Sequence, residues 1–346
     1  MNGEVTRERL LALPKAELHV HLDGSLRPGT LLELAREAGV ELPARAPEAL
    51  ASRMRAPDAG DLASYLEAFA TTLSVLQTSG ALERAAYELA EDAAAENVRY
   101  MEVRYSPVLH ADGGMSLEET VEAPLRGLSA AQETLGIRTG LIVCGIRSQP
   151  PSVSRELAEL AVAYQDQGVV AFDLAGAEAG HPAREHRKAC RWAAEHHLPV
   201  TVHAGEAEGA WSIAQALHDC HARRIGHGTR LREDPELEAF VNDFRIPLEV
   251  CLTSNVQTGV TPAVSRHPFR RYLDAGLVVT LNTDNRLISG TTLTREYQRA
   301  HRELGLDWDE LTTVALMGFQ AAFLPYAEKA SLLEEVEREM AALGDG

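Results

Sequence analysis

The sequence of 346 residues predicts an α/β fold, a (β/α)8 TIM barrel with a helical lid inserted after its first strand. Eight short apolar runs of the strand type recur along the chain, and alanine- and leucine-rich segments with helical spacing separate them. The first connection is much longer than the others. Eight alternations of strand and helix are typical of parallel strands that close into a barrel. An open doubly wound sheet is the alternative, but no glycine-rich phosphate loop follows the first strand.

The candidate strands are short apolar runs, most of them bounded by turn residues or charged residues. In chain order they are 16–22, 99–106, 139–146, 169–175, 199–205, 223–228, 246–252 and 277–283. The clearest helical patterns between them are 81–96, 152–167, 184–197 and 234–244. Neither a low-complexity linker nor an internal repeat divides the chain. We therefore expect a single domain over residues 1–346.

The first connection, about residues 24–98, is far longer than the handful of residues usual for such loops. Within it, the stretch DLASYLEAFATTLSVLQ (61–77) has an apolar helical face, formed by Leu62, Tyr65, Leu66 and Phe69. Packing into the core is the simplest role for such a face. In a barrel, however, a loop that follows a strand lies on the active-site side. The segment is therefore a candidate lid with an apolar underside.

The composition excludes several kinds of partner. The net charge of −18 disfavours nucleic acids and anionic membranes, because both require a basic surface. The four cysteines are scattered without a CxxC pair, which is typical of reduced thiols. Neither a signal-peptide pattern nor an apolar stretch of membrane-spanning length is found. We expect a cytoplasmic protein; the oligomeric state is not indicated.

The stretch AELHVHLDG (16–24) places two histidines on one strand face, because side chains two residues apart point to the same side of a strand. His19 and His21 could form part of a metal site, although an HxH pair alone is weak evidence.

Three other strand ends add residues of the same chemical type. They are His203 with Glu206 in TVHAGE, His227 in IGHG, and Asp284 with Asn285 in NTDN. The carboxyl ends of barrel strands converge on one mouth, so we expect these side chains to meet there. Imidazole and carboxylate together suit zinc or a similar divalent ion.

Seven segments resemble, in order, the adenosine deaminase family of the amidohydrolase superfamily. They are PKAELHVHLDGSLRP, RYMEVRYSP, FDLAGAEAG, TVHAGE, RIGHG, LTSNVQTG and NTDN. The resemblance implies hydrolytic deamination of adenosine and 2′-deoxyadenosine to inosine and 2′-deoxyinosine, with release of ammonia. It also implies one Zn²⁺ per chain at the barrel mouth, with the ligands His19, His21, His203 and Asp284.

The resemblance further assigns residues to catalysis and to substrate binding. Glu206 resembles the proton donor to purine N1, and His227 the histidine beside the attacking oxygen, where Asp284 also takes part. The residues implied in contacts with the purine nucleoside are His21, Asp23 (sugar hydroxyls), Gly176 (backbone to N3) and Asn285 (N7), beneath the lid residues Leu62, Tyr65, Leu66 and Phe69.

Elementary chemistry agrees with these assignments. A divalent metal ion lowers the pKa of water that it binds, which makes hydroxide available at neutral pH for attack at purine C6. The aromatic ring accepts this attack only if a ring nitrogen is protonated, and a carboxylic acid that is not a ligand can supply the proton.

Asn285 departs from the family, in which many members have a second aspartate. An asparagine NH2 can donate to N7 in its normal state, so the change is compatible with a purine.

Three alternatives stay open. A binuclear amidohydrolase of the lactonase or phosphotriesterase type needs a bridging group at the fourth strand, where only Asp173 is available. A non-catalytic binding protein is expected to have lost Glu206 or a ligand. Among deaminases, adenine and 6-aminodeoxyfutalosine remain possible substrates, although adenine deaminases tend to have glutamate where Asp23 stands. A nucleotide is disfavoured, because the only basic residues near the predicted mouth are Arg27, Arg104 and Arg147.

Overall fold

A computed structural model describes residues 4–56 and 60–344. Eight parallel strands form its centre. They are β1 (Lys15–His21), β2 (Val98–Tyr105), β3 (Arg138–Ile146), β4 (Val169–Ala175), β5 (Thr201–Ala204), β6 (Arg224–His227), β7 (Leu248–Val250) and β8 (Val279–Leu281). All eight predicted strands are confirmed, with ends that differ by at most two residues.

The strands close into a barrel. Hydrogen bonds pair β1 to β4 in sequence order and β5 to β8 likewise. Parallel bridges join the two halves, Phe172 to Val200 on one side and Val20 to Asp284 on the other. The second junction includes a hydrogen bond of 2.7 Å from the His21 N–H to the Asp284 carbonyl. The predicted (β/α)8 barrel is therefore confirmed.

Helices surround the strands and fill the long first connection. They are α1 (Arg7–Ala12), α2 (Pro28–Ala38), α3 (Pro47–Met54), α4 (Leu62–Glu67), α5 (Phe69–Leu73), α6 (Ser79–Ala94), α7 (Leu117–Leu135), α8 (Pro151–Ala163), α9 (Arg187–Glu195), α10 (Ala210–His218), α11 (Pro235–Asp243), α12 (Leu252–Gln257), α13 (Phe269–Asp274), α14 (Leu293–Leu304), α15 (Trp308–Ala321) and α16 (Tyr326–Gly344).

Local sequence explains where these helices begin and end. At α7, the Ser116 side chain accepts from the Glu119 N–H while the Glu119 carboxylate accepts from the Ser116 N–H, and Gly136 ends the helix with φ of 70°. The same reciprocal cap opens α15 through Asp307 and Glu310.

The first connection has two parts. Helix α6 packs extensively on α7 and on β2, as a barrel helix does. Helices α4 and α5, by contrast, lie over the mouth, where Leu62, Tyr65, Leu66 and Phe69 line a cavity. Residues 57–59 of the predicted insertion lie outside the described residues.

The strands alternate between an apolar outer face and a polar inner face. In β1, Leu18 and Val20 belong to the apolar core, whereas His19 contacts Glu249 across the barrel. Arg224 of β6 bonds Glu102 of β2 and Glu249 of β7. Because β6 and β2 are not neighbouring strands, and neither are β1 and β7, the contacts between them pass through the interior. Charged side chains therefore occupy part of the space that apolar layers usually fill.

All four cysteines are free and buried. Across the described ranges, none of the helices has the length and apolar character needed to span a membrane.

Candidate active site

The four residues predicted as metal ligands meet at the barrel mouth. One ligand atom from each of His19, His21, His203 and Asp284 lies within 4.8 Å of the other three. The Nε2 atom of His21 is 3.2 Å from that of His203 and 3.4 Å from the Asp284 carboxylate. Ligands at zinc–nitrogen distances of 2.0–2.1 Å in a tetrahedron stand about 3.4 Å apart. The spacing of the group is therefore close to that of a tetrahedral zinc site.

Carboxylates behind the histidines orient the imidazoles. The Nδ1–H of His19 donates to Glu249 at 2.8 Å, and the Nδ1–H of His203 donates to Asp173 at 3.0 Å. These bonds leave both Nε2 lone pairs facing the centre of the group. Nε2 of His19 is buried and has no hydrogen-bond partner among the described residues. Opposed lone pairs and an orphaned buried nitrogen fit a divalent cation at this position.

Arg104 connects the two supporting carboxylates. Its guanidinium donates to Asp173 at 3.1 Å and to Glu249 at 2.8 Å, and all three side chains are buried. Burial alone would raise the pKa of the Glu249 carboxyl, but Arg104 and Arg224 hold that pKa well below its ordinary value. Asp173 is thus engaged by an arginine and a histidine. That arrangement disfavours a role for it as a bridge between two metal ions.

Two residues of the site have left-handed backbone conformations. His227 and Asp284 both have φ of 62°, which is uncommon for residues other than glycine. The Asp284 backbone bonds to β1 at both of its polar groups, and Ser254 donates to its carboxylate at 2.6 Å. The strained backbone directs each side chain into the mouth.

Glu206 lies beside the metal-binding group. Its carboxylate is 3.6 Å from the His227 Nε2 atom, and its side chain is buried. Burial raises the pKa of Glu206 well above its ordinary value, and the negative charges of Asp284 and Glu178 act in the same direction. The raised pKa favours the protonated form of Glu206, the form that a proton donor needs.

A chain of hydrogen bonds determines which nitrogen of the His227 ring carries the hydrogen. Phe269 N–H donates to His267 Nδ1 at 3.0 Å, so His267 donates through Nε2 to the Asn255 carbonyl oxygen at 3.1 Å. Thr229 donates to the same oxygen, which fixes the orientation of the amide. The Asn255 NH2 group then donates to His227 Nδ1 at 3.0 Å. Burial lowers the pKa of His227, and the neutral ring carries its hydrogen on Nε2.

A cavity of about 40 Å³ lies between this group and the lid. Most of the residues predicted to bind substrate line it, namely His21, Leu62, Tyr65, Leu66, Phe69, Gly176 and Asn285. Glu206, His227 and Asp284, the residues predicted to be catalytic, also line it. Asp23 does not belong to this lining; it is buried, with its carboxylate 3.7 Å from His110 Nε2.

Asn285 joins the mouth to the lid. Its NH2 group donates to the Tyr65 hydroxyl at 2.9 Å, and Tyr65 in turn contacts Ser289 Oγ at 2.7 Å. A Cβ atom on Gly24 would stand 1.8 Å from the Asn285 carbonyl oxygen. The glycine after Asp23 is therefore required by the close packing of Asn285.

Sequence reasoning missed several residues that support the site. Arg104 and Glu249 are charged residues inside apolar strands, a pattern that indicates buried ion pairs and could have singled them out. Glu178, Ser254 and Asn255 lie within FDLAGAEAG and LTSNVQTG, two of the segments that carry the family resemblance, but their supporting roles depend on contacts that the sequence does not show.

Comparison with known proteins identifies the family. The sequence model described as adenosine deaminase matches residues 14–339. The chain belongs to the adenosine deaminase family. An adenosine deaminase from Mycobacteroides abscessus is 42% identical to it over 356 residues, which cover 97% of each protein.

Solved structures agree with this membership of the adenosine deaminase family. An adenine deaminase from Arthrobacter aurescens is 30% identical, with a TM-score of 0.88 over 94% of this chain and 98% of that one. An amidohydrolase from Burkholderia ambifaria with bound Zn is 26% identical, with a TM-score of 0.91 over 100% of this chain and 96% of that one.

Proposed function

We propose that this chain is a zinc-dependent adenosine deaminase, which converts adenosine and 2′-deoxyadenosine to inosine and 2′-deoxyinosine with release of ammonia. The observation that carries the proposal is the convergence of His19, His21, His203 and Asp284 beside the buried acid Glu206. The free, buried cysteines are compatible with action in the cytoplasm.

His19, His21, His203 and Asp284 would hold the metal. The ion, when bound, supplies hydroxide at neutral pH and thereby the nucleophile for purine C6. Glu206 gives its proton to N1 as C6 becomes tetrahedral, which prevents negative charge from accumulating on the ring. Burial and the nearby negative charges raise the pKa of Glu206, which favours its protonated form and suits it to this role.

His227 and Asp284 form hydrogen bonds with the attacking oxygen and move its proton. The Nε2–H of His227 donates to it, and the hydrogen bond from Asn255 keeps the hydrogen on that nitrogen. The Asp284 carboxylate accepts the proton of the same oxygen and passes it to the leaving amino group, which departs as ammonia. The hydrogen bond from Ser254 keeps the Asp284 carboxyl ionised, as its role of proton acceptor requires.

A nucleoside is favoured over a nucleotide because the arginines near the mouth are already engaged. Arg27 forms ion pairs with Glu91 and Asp92, and Arg104 with Asp173 and Glu249. Arg147 donates to the backbone carbonyls of His181 and His203. These three guanidiniums are thus not free to bind a phosphate.

Entry of substrate requires the lid to move. The cavity of about 40 Å³ is far smaller than pockets for ligands of this class, which measure roughly 300 Å³ or more. We propose that α4 and α5 swing away together and close again over the purine. The Tyr65 hydroxyl, bonded to Ser289 and Asn285, joins the closed lid to the barrel, and opening would break these two bonds.

The substrate is tested by ammonia release from metal-loaded protein. We expect adenosine and 2′-deoxyadenosine to exceed adenine, AMP and 6-aminodeoxyfutalosine in kcat/KM by at least about tenfold. If adenine or 6-aminodeoxyfutalosine leads by a wide margin, the sugar contact assigned to Asp23 is wrong although deamination itself stands. If none of the five releases ammonia, the proposal fails.

Two substitutions test the chemical roles, since both should lower activity but only one should lower zinc content. Glu206→Gln removes the proton donor but no ligand, so kcat should fall by about 10²–10⁴ while zinc content in elemental analysis is unchanged. His19→Ala removes a ligand, so both zinc content and activity should fall. Near-normal turnover in the first variant, or full zinc occupancy in the second, contradicts the corresponding role.

A further inference from the structure

Glu178 is a buried acid that the proposed reaction does not use. It follows β4 in the segment LAGAEAG and is 2% exposed. Its carboxylate accepts hydrogen bonds from the consecutive backbone N–H groups of residues 205–208, at 2.8, 3.0, 2.6 and 2.9 Å. The Ser212 hydroxyl donates a fifth bond at 2.5 Å. This is a large number of donors for a single carboxylate.

The four amides belong to the loop that carries the proton donor. They lie between β5 and α10, and Glu206 is the second of them. Gly205 makes the turn possible, because its φ of 70° is readily adopted only by glycine. Four N–H groups that point to one spot favour a negative charge there. Glu178, from the preceding strand's loop, supplies that charge.

We propose that Glu178 is a positioning residue, whose carboxylate fixes the backbone of residues 205–208 and thereby holds the Glu206 carboxyl 3.6 Å from His227. The effect of Glu178 on the reaction is thus exerted entirely through Glu206. The kinetic part of this inference rests on the proposed function, whereas the structural part does not.

A carboxylate is required at this position rather than any polar group. Glutamine has only one acceptor oxygen, and its NH2 group would face backbone N–H donors that cannot accept. Aspartate keeps both oxygens and the charge but is one methylene shorter, so it should reach only some of the amides. Hydrogen bonds to an ionised acceptor are also roughly twice as strong as neutral ones. We therefore expect the loop to loosen more in Glu178→Gln than in Glu178→Asp.

Hydrogen exchange tests the structural part without reference to activity. Peptides covering residues 205–208 should exchange at least about tenfold faster in Glu178→Gln than in the parent protein, with Glu178→Asp between the two. Glu185→Gln, the same substitution at an exposed position nearby, is the matched control and should leave exchange unchanged. Unchanged protection of 205–208 in both Glu178 variants overturns the proposal. If the glutamine variant does not fold, the aspartate variant carries the test.

A double-mutant cycle tests the kinetic part. Alone, Glu178→Gln should lower kcat by about tenfold to 10²-fold, since a displacement of about 1 Å can cost that much, while KM changes less than about twofold. In a Glu206→Gln background the same substitution should change kcat by less than about twofold. Equal losses in both backgrounds mean that Glu178 acts on the fold in general, which overturns the proposal. If Glu206→Gln itself is fully active, the role of Glu206 in the proposed function fails, whereas the exchange result still decides the positioning of its loop.

Discussion

Asn285 lies where an amide and a carboxylate differ in their ability to donate a hydrogen bond to the substrate. Its NH2 group has two hydrogens, and one of them reaches Tyr65 in the closed lid. The other is free to donate to an acceptor such as purine N7. An aspartate could donate only when protonated. The asparagine therefore allows purine recognition without depending on the protonation of this residue.

Replacement of Asn285 by alanine should remove the link to the lid and the proposed contact to N7. We expect KM to rise and kcat/KM to fall at least about tenfold, measured by ammonia release from adenosine. Asn242→Ala, at the C-terminal end of α11, is the control for loss of an amide and should leave kcat/KM unchanged. An unchanged kcat/KM in Asn285→Ala would remove the N7 role.

At the scale of single residues, sequence reasoning found the groups that stand at strand ends. His19, His21, His203 and Asp284 could be recognised because barrel topology alone brings such positions together. The supporting contacts were not accessible in the same way. The bond from Asn255 to His227, for example, depends on the orientation of one amide and on a left-handed backbone, neither of which leaves a pattern in sequence.

Elements are held around the site by single buried side chains. His267 precedes α13 and bonds both to the Phe269 N–H and to Asn255 in α12. Burial lowers the pKa of His267 to about 3, and the positive charge of Arg232 acts in the same direction. The neutral ring therefore joins two short helices and also keeps Asn255 aligned with His227.

The depressed pKa of His267 should make the fold sensitive to acid. In the unfolded chain this group binds a proton below about pH 6.5, whereas the folded chain does not bind it until about pH 3, so stability is lost as pH falls through this range. Between pH 7 and pH 5 the free energy of unfolding should fall by about 2 kcal/mol more than in His267→Gln, which keeps a donor to Asn255 but does not titrate. Urea unfolding at the two pH values measures the difference. Equal losses in the two proteins would show that His267 does not contribute.

Helices and strands were predictable because each has a periodic pattern of apolar and polar residues, with one face in the core and the other toward solvent. All eight strands were found, including β7 and β8, which have three residues each. The extent of the lid was harder to define. Helix α6 has the composition of its neighbours in the first connection, and only its packing on α7 shows that it belongs to the outer ring of the barrel.

Across the whole molecule, buried charges brace the barrel from side to side. Arg224 bonds Glu102 and Glu249, donates to the carbonyl of Ala321 and stacks on the Phe323 ring at 3.6 Å. Replacing all members of such a network together by apolar groups changes the stability of the fold little. The network is costly to break at one member, because the remaining charges lose their partner in a medium of low polarity.

Arg224→Met should therefore destabilise the fold strongly. We expect the free energy of unfolding to fall by about 3–5 kcal/mol, since Glu102 is left buried without its counter-ion and Glu249 keeps only Arg104. The control is Arg191→Met, which breaks an exposed pair with Glu195 and should cost less than about 1 kcal/mol. Denaturant unfolding of the two variants compares them directly. Similar small losses in both would mean that the interior charges do not depend on Arg224.

The junction between β8 and β1 has a consequence for how the protein is made. Asp284 closes the ring with its backbone, bonding His19 and His21, and its side chain completes the group of metal-binding residues. His19 and Asp284 are 265 positions apart in the sequence, so the ribosome synthesises the aspartate long after the first histidine. A nascent chain that stops before β8 has neither a closed ring nor a full set of ligands. A metal ion held by all four residues would therefore bind only after nearly complete translation, and a truncated product would lack the Asp284 ligand.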